Sequence, residues 1–152
     1  MNISFKWIVK RTKRKDPIMI KSITREELKE RMEHGHKFHL VDVLAPETYE
    51  KKHIKGAINL PMQEVGKKAR KLFEPGDDIV VYCSSFSCKA SPAAAKKLDD
   101  LGFENVYDYE GGRDDWEEAG LPIETSNWFL KNRLAFNYKP HVFFLRMGLI
   151  NM

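Results

Sequence analysis

Asp78-Ile79-Val80-Val81-Tyr82-Cys83-Ser84-Ser85-Phe86-Ser87-Cys88-Lys89-Ala90-Ser91-Pro92 decides how this chain is read. Its first five residues are rich in β-branched side chains and bracketed by polar ones, the pattern of a short buried strand. Ser91-Pro92 followed by Ala93-Ala94-Ala95 reads as a helix start, with Ser91 as the N-cap and proline at the first helical position. The order is therefore strand, polar loop, helix, with Cys83 where the strand stops. The seven intervening residues are mostly small or polar, so their N–H groups can converge on a common centre at a helix N-terminus. Such a cradle favours anions and is expected to lower a thiol pKa from about 8.5 toward neutrality. Read alone, the stretch admits either an activated thiolate or a cysteine that is simply buried in the core.

Working outward, turn and periodicity signals lay out alternating elements. Ile20–Ile23 reads as a strand, and Thr24-Arg25-Glu26-Glu27 as a capping box opening a helix that stops at Gly35. Phe38–Leu44 is a second strand with Asp42 inside an apolar run, where a buried carboxylate must find hydrogen-bond donors and is expected to tie strand to loop. Pro46–Glu50 opens a short helix, Ala57–Leu60 forms a third strand, and a helical segment runs from Met62 to Phe73. After the central helix, Asn105–Tyr109 is another strand, Gly111-Gly112 a tight turn, and Asp114–Ala119 a short helix ended by Gly120. The fold class expected is α/β, a central parallel β-sheet with helices on both faces. Ligands in such sheets bind outside the carboxyl ends of the strands, where Cys83 falls.

Composition narrows the chemistry. The 152 residues suffice for one domain with a proper core. Both cysteines lie in the loop, which excludes a disulfide scaffold and points to a reducing, cytoplasmic setting. Two thiols do not make a structural zinc site, and His34, His36 and His39 straddle a helix end and a strand start, so no metal is expected. Charge divides the chain. A basic N-terminal arm, residues 1–16, has six lysines and arginines before its first acid, and a basic, aromatic extension, residues 126–152, has four and no acid. All the carboxylates lie between Asp16 and Glu124, so residues 17–125 form an acidic domain between basic arms. No stretch is long and apolar enough to span a bilayer. No nucleic-acid motif is present. The aromatic residues of the extension are expected to be buried on the domain, across a homodimer or against a partner, ahead of membrane-surface attachment.

Three of these segments carry a resemblance. Asp42-Val43 with Pro46-Glu47-Thr48-Tyr49-Glu50 and His53-Ile54-Lys55-Gly56-Ala57-Ile58-Asn59-Leu60-Pro61 is similar to the first signature of the single-domain rhodanese-like sulfurtransferases. Val81-Tyr82-Cys83 with its loop and Ala-rich helix resembles that family's active-site segment, and Gly111-Gly112, Trp116 and Ala119-Gly120-Leu121-Pro122 its closing signature. The resemblance covers about Ile20 to Thr125. It implies that Cys83 takes a sulfane sulfur from an anionic donor, thiosulfate or a persulfide, and passes it as a persulfide to a thiol or cyanide-type acceptor, with no cofactor. It further implies an anion-binding loop of Ser84, Ser85, Phe86, Ser87, Cys88, Lys89, Ala90 and Ser91, and structural roles for Asp42, His53 and Trp116.

The departures are specific. Leu44 stands where the family usually has an arginine, and the loop lacks the family's glycine and arginine. The segment is also about two residues longer than the common form, leaving Lys89 as the loop's cation, a point charge without a bidentate fork. Cys88 is a second thiol placed to resolve a persulfide, form a disulfide, or remain passive. Alternatives to a sulfurtransferase are a non-catalytic interaction or regulatory module and a phosphatase- or arsenate-reductase-like enzyme using the enlarged loop. A protein sulfur-relay partner fits the wider loop as well as thiosulfate does.

Overall fold

The computed structural model describes residues 20–126. The basic arm 1–16 and, beyond Ser126, the extension 126–152 lie outside the described residues, and with them the expectations placed on those arms.

Among the described residues seven strands and five helices follow one another with short connections. β1 is Lys21–Ser22, α1 Arg25–Glu33, β2 His39–Asp42, α2 Pro46–Lys51, β3 His53–Ile54 and β4 Ile58–Asn59. A 3-10 turn at Met62–Glu64 leads into α3, Val65–Leu72, then β5 Asp78–Tyr82, α4 Ala90–Asp100, β6 Asn105–Tyr109, α5 Gly112–Glu118 and β7 Ile123–Glu124. Five strands form one sheet in the order β1-β6-β5-β2-β4, and every pairing in it is parallel. This is the architecture expected from the alternating pattern. β5 is its middle strand, which explains why it is apolar on both sides.

Alternation along the strands fills two cores. Val41, Val43, Ile79 and Val81 point to one face, against Val65 and Ala69 of α3 and Ala94, Ala95 and Leu98 of α4. Leu40, Val80 and Tyr82 point to the other, with Leu28 of α1 and Trp116 of α5. The capping box is formed: Glu27 N–H donates to Thr24 Oγ1 at 3.2 Å, and Thr24 N–H donates back to Glu27 at 2.9 Å. Gly35, Gly56, Gly102 and Gly120 close their segments at positive φ.

Two features differ from the sequence reading. β3 and β7 form a separate antiparallel pair, each only two residues long, too short to show a period. The helix after the loop begins at Ala90, not after Ser91. Lys89 occupies the N-cap without a side-chain bond, and Ser91 lies inside the first turn, buried. Pro92 is tolerated two residues further in than expected, because none of the first-turn N–H groups has an intrahelical partner to lose. Among the described residues no helix is long and apolar enough to cross a membrane.

Candidate functional site

Cys83 follows β5 directly and is buried, its residue only 1% exposed. Its S–H faces Ser91 Oγ at 3.4 Å, with the Ser85 carbonyl oxygen at 3.9 Å. The loop beyond it folds back on itself. Cys88 N–H donates to Ser85 O at 3.0 Å, closing a turn, and the Ser85 and Ser87 hydroxyls meet at 3.1 Å. This turn lays the Cys88 thiol against that of Cys83. Phe86, Ser87 and Lys89 remain exposed on the outside of the loop, Phe86 at 69%.

A second element holds the loop from below. Arg113 N–H donates to Cys83 O at 2.9 Å, and Asp114 N–H donates to Ser84 O at 2.8 Å. These are free N–H groups of the first turn of α5, used here to fix two consecutive loop carbonyls. The approach is close enough to require glycine at the helix start. A Cβ on Gly112, whose φ is +67°, would lie 2.6 Å from Cys83 O and 2.8 Å from the Ser84 carbonyl carbon.

The electrostatics of the two thiols overturn one expectation. Burial raises the Cys83 pKa, and the adjoining Cys88 thiol raises it further, against the lowering effect of the Ser91 hydroxyl and backbone N–H. The helix-terminus field does not prevail at this sulfur, because desolvation penalises the thiolate more. Burial also opposes ionisation of Cys88, but its contact with Cys83, the Ala90 and Ser84 N–H groups and the Ser84 side chain outweigh that, and its pKa falls below the ordinary thiol value. Of the two, Cys88 is the less buried and the one whose neighbours favour the thiolate. Alkylation with iodoacetamide across pH, read by peptide mass, is expected to label Cys88 at lower pH than Cys83. Labelling in the reverse order would contradict this placement.

Buried carboxylates flank the site. Asp42 ends β2 beside Tyr82 and accepts from Leu44 N–H at 2.9 Å, tying strand to loop. Burial raises its pKa, opposed by Leu44 N–H, the Tyr82 hydroxyl, Arg113 and His53. His53 is buried, stacks on Tyr49 at 3.8 Å and shares a hydrogen bond with Tyr49 O at 2.8 Å. Trp116 is in the core and donates from Nε1 to Pro122 O at 3.1 Å. Leu44, Asp42, His53 and Trp116 thus sit in the packing around the loop and not among its thiols.

The sequence reading missed Gly112, Arg113 and Asp108 as parts of this site. Gly112 was visible as half of a Gly-Gly turn and as part of the closing signature, but nothing local announced its contact with Cys83. The Arg113 side chain is only 11% exposed; its Nη1 donates to Lys52 O at 3.4 Å and Nη2 pairs with Asp114 at 3.3 Å. Asp108, on the buried sheet strand β6, had a signal in its position two residues after Val106 on the same face. It is 3% exposed, its side chain interacts with that of Ser91, and its Oδ1 has no hydrogen-bond partner.

Burial, and to a lesser degree Glu110, raise the Asp108 pKa, while Ser91 lowers it. A folded pKa above the unfolded one means that stability is fully present below the unfolded value and is lost as pH rises through the folded one. Asp108→Asn is therefore expected to melt close to wild type at pH 4 and roughly 4–8 °C higher at pH 8, the equivalent of about 1 kcal/mol. An offset equal at both pH values would contradict a charge cost at this position.

Beside the loop, at the carboxyl ends of β1 and β6, a cleft of about 330 Å³ is lined by Ser22, Arg25, Phe86, Tyr109, Gly111 and Asp115 among others. Arg25 Nη1 donates to Asp115 Oδ1 at 2.7 Å, and Asp115 also accepts the Tyr109 hydroxyl, so the far wall of the cleft is held by paired charges. Among the described residues no group of three His, Cys, Asp or Glu side chains could hold a metal ion.

Comparison with known families gives this geometry its place. The rhodanese-like domain model matches residues 24–119. The chain belongs to the rhodanese-like domain family. The rhodanese-like segment is 41% identical over 104 residues to the HTH-type transcriptional regulator Rv0324 of Mycobacterium tuberculosis, covering 68% of this chain and 44% of the relative. It is 34% identical over 97 residues to the putative sulfur carrier protein YrkF of Bacillus subtilis, covering 64% and 51%. It is 35% identical over 88 residues to the thiosulfate sulfurtransferase GlpE of Vibrio cholerae, covering 58% and 80%. The match thus spans about half the length of the first two relatives and most of the third. Among solved structures, the rhodanese-like domain of the Alr3790 protein from Anabaena superposes with a TM-score of 0.64 at 31% identity, over 70% of this chain and 80% of that one.

Proposed function

We propose that this rhodanese-like domain is a sulfurtransferase that carries sulfane sulfur as a persulfide on Cys83. The observation that carries the reading is the position of Cys83 at the carboxyl end of the central strand, under a loop whose carbonyls are fixed by α5. In the first half-reaction the Cys83 thiolate attacks the outer sulfur of thiosulfate, the S–S bond of the donor breaks, and sulfite leaves with the electron pair. The second half-reaction passes the outer sulfur to a thiol or cyanide-type acceptor and restores the thiolate. Both are nucleophilic displacements at sulfur and need no metal or organic cofactor.

The raised Cys83 pKa assigns work to its surroundings. Ser91 hydrogen-bonds the sulfur through its hydroxyl and its N–H favours the thiolate, while exposed Lys89 offers the loop's positive charge to an anionic donor. A cytoplasmic setting keeps both loop thiols reduced. A protein persulfide, as well as thiosulfate, is a donor of the right chemistry, and the cleft beside Phe86 offers it a docking edge.

The test is thiocyanate formation from thiosulfate and cyanide, repeated with a small-molecule persulfide as donor. Turnover with either donor supports the reading, and none with both contradicts it. A second reading, a regulatory module that senses sulfane sulfur without turning over, is favoured by the regulator among the relatives. It predicts a single stoichiometric sulfur uptake with no turnover in the same assay.

A further inference from the structure

We propose that Cys88 resolves the Cys83 persulfide, so that this domain releases free sulfide and draws its reducing equivalents from an external thiol. The inference rests on the sulfur-carrier reading of Cys83 and goes beyond it by naming the product and the acceptor class.

The geometry supplies three reasons. Cys88 is brought back onto Cys83 by the turn that its own N–H closes on Ser85 O, at 3.0 Å. Both sulfurs then border the same packed cluster, Cys83 within it and Cys88 against its edge. The N–H groups of Ala90 and Ser84 are directed to the Cys88 sulfur, which thus occupies the part of the loop suited to negative charge. The half-buried Cys88 thiol is held beside the buried Cys83 sulfur, which becomes the inner sulfur of the persulfide.

The step balances without a metal or an oxidant. The Cys88 thiolate attacks Cys83 Sγ, a Cys83–Cys88 disulfide bond forms, and the bond from Cys83 Sγ to the outer sulfur breaks. The outer sulfur leaves with the electron pair as HS⁻, carrying the persulfide proton. Sulfane sulfur is reduced to sulfide, and the two cysteine sulfurs are oxidised to a disulfide. An external dithiol, or two equivalents of a small thiol, then reduces the disulfide by exchange and is itself oxidised. The step requires the loop to bring the two sulfurs to a bond length of about 2.05 Å.

The experiment uses the reduced full chain, thiosulfate and no added thiol, with sulfide assayed and intact mass recorded. Wild type is expected to release about one equivalent of sulfide and to lose about 2 Da, the two hydrogens given up in a disulfide. Cys88→Ser is expected to release none and to gain about 32 Da, the sulfane sulfur left on Cys83. Wild type that holds the added sulfur and releases no sulfide, with Cys88→Ser behaving the same way, overturns the resolving role and leaves the carrier reading standing. Cys88→Ser that gains no sulfur from thiosulfate or a small persulfide overturns the carrier reading beneath it. Cyanide added to sulfur-loaded Cys88→Ser is expected to remove the added mass of about 32 Da as thiocyanate with no sulfide released, since cyanide takes the outer sulfur directly. Sulfide release from Cys88→Ser at the wild-type rate contradicts the proposal.

Discussion

Cys83→Ser is expected to reduce sulfur transfer from thiosulfate to background, a loss of at least about a thousandfold, because removing the group that bears a covalent intermediate removes the route itself. Serine keeps the size of the residue and can still bond Ser91, so the strand end and the fold should persist. The change removes a sulfur that packs at the edge of the α3–α4 core, where Cys83 is buried among Val43, Val81 and Ala94. A modest fall in melting temperature is therefore expected beside the catalytic loss. The melting curve must remain cooperative for the comparison to count. A variant that keeps a tenth or more of wild-type transfer while folded would remove Cys83 from the mechanism.

Gly112→Ala carries the largest expected structural effect. The left-handed conformation costs an L-residue about 1–2 kcal/mol, and forcing a Cβ into occupied space adds roughly 1–3 kcal/mol. Its Cβ would meet the Cys83 carbonyl oxygen at 2.6 Å, and the atoms that must yield are backbone, not a flexible side-chain tip. A drop of roughly 10 °C or more in melting temperature follows, with transfer activity falling at temperatures where the variant is still folded. Gly120 supplies the control. It has φ +72° and nothing within 4 Å of an added Cβ, so Gly120→Ala meets only the conformational cost. Equal effects of the two substitutions on stability and transfer would show that α5 does not position the Cys83 loop through Gly112.

The legible part of this molecule is the part whose physics is local. Asp78–Tyr82 declared itself a buried strand through its β-branched run, and Thr24 with Glu27 declared a helix start through a bond pattern confined to four residues. Gly35 and Gly120 marked helix ends for the same reason. The parallel sheet followed from the alternation of such elements. What the sequence concealed depends on contacts between segments distant along the chain. Gly112 supports Cys83 from 29 residues away, and Asp108 meets Ser91 across the strand-helix packing. The sign of the Cys83 shift was concealed too. The loop and helix terminus were visible, but the desolvation that opposes them arises from two layers of packing that no single stretch displays. Ser91 shows the intermediate case: its residue type suggested a cap, while its place inside the first turn of the helix turned its hydroxyl to the sulfur.

The most direct measurement is peptide-level mass spectrometry of Cys88→Ser and of Cys83→Ser/Cys88→Ser after incubation with thiosulfate and, separately, with a small-molecule persulfide. The account predicts a gain of about 32 Da on the peptide containing Cys83 in the first protein and none in the second, the mark of a persulfide. No added sulfur on Cys83 from either donor would contradict the claim that this cysteine is the sulfur carrier.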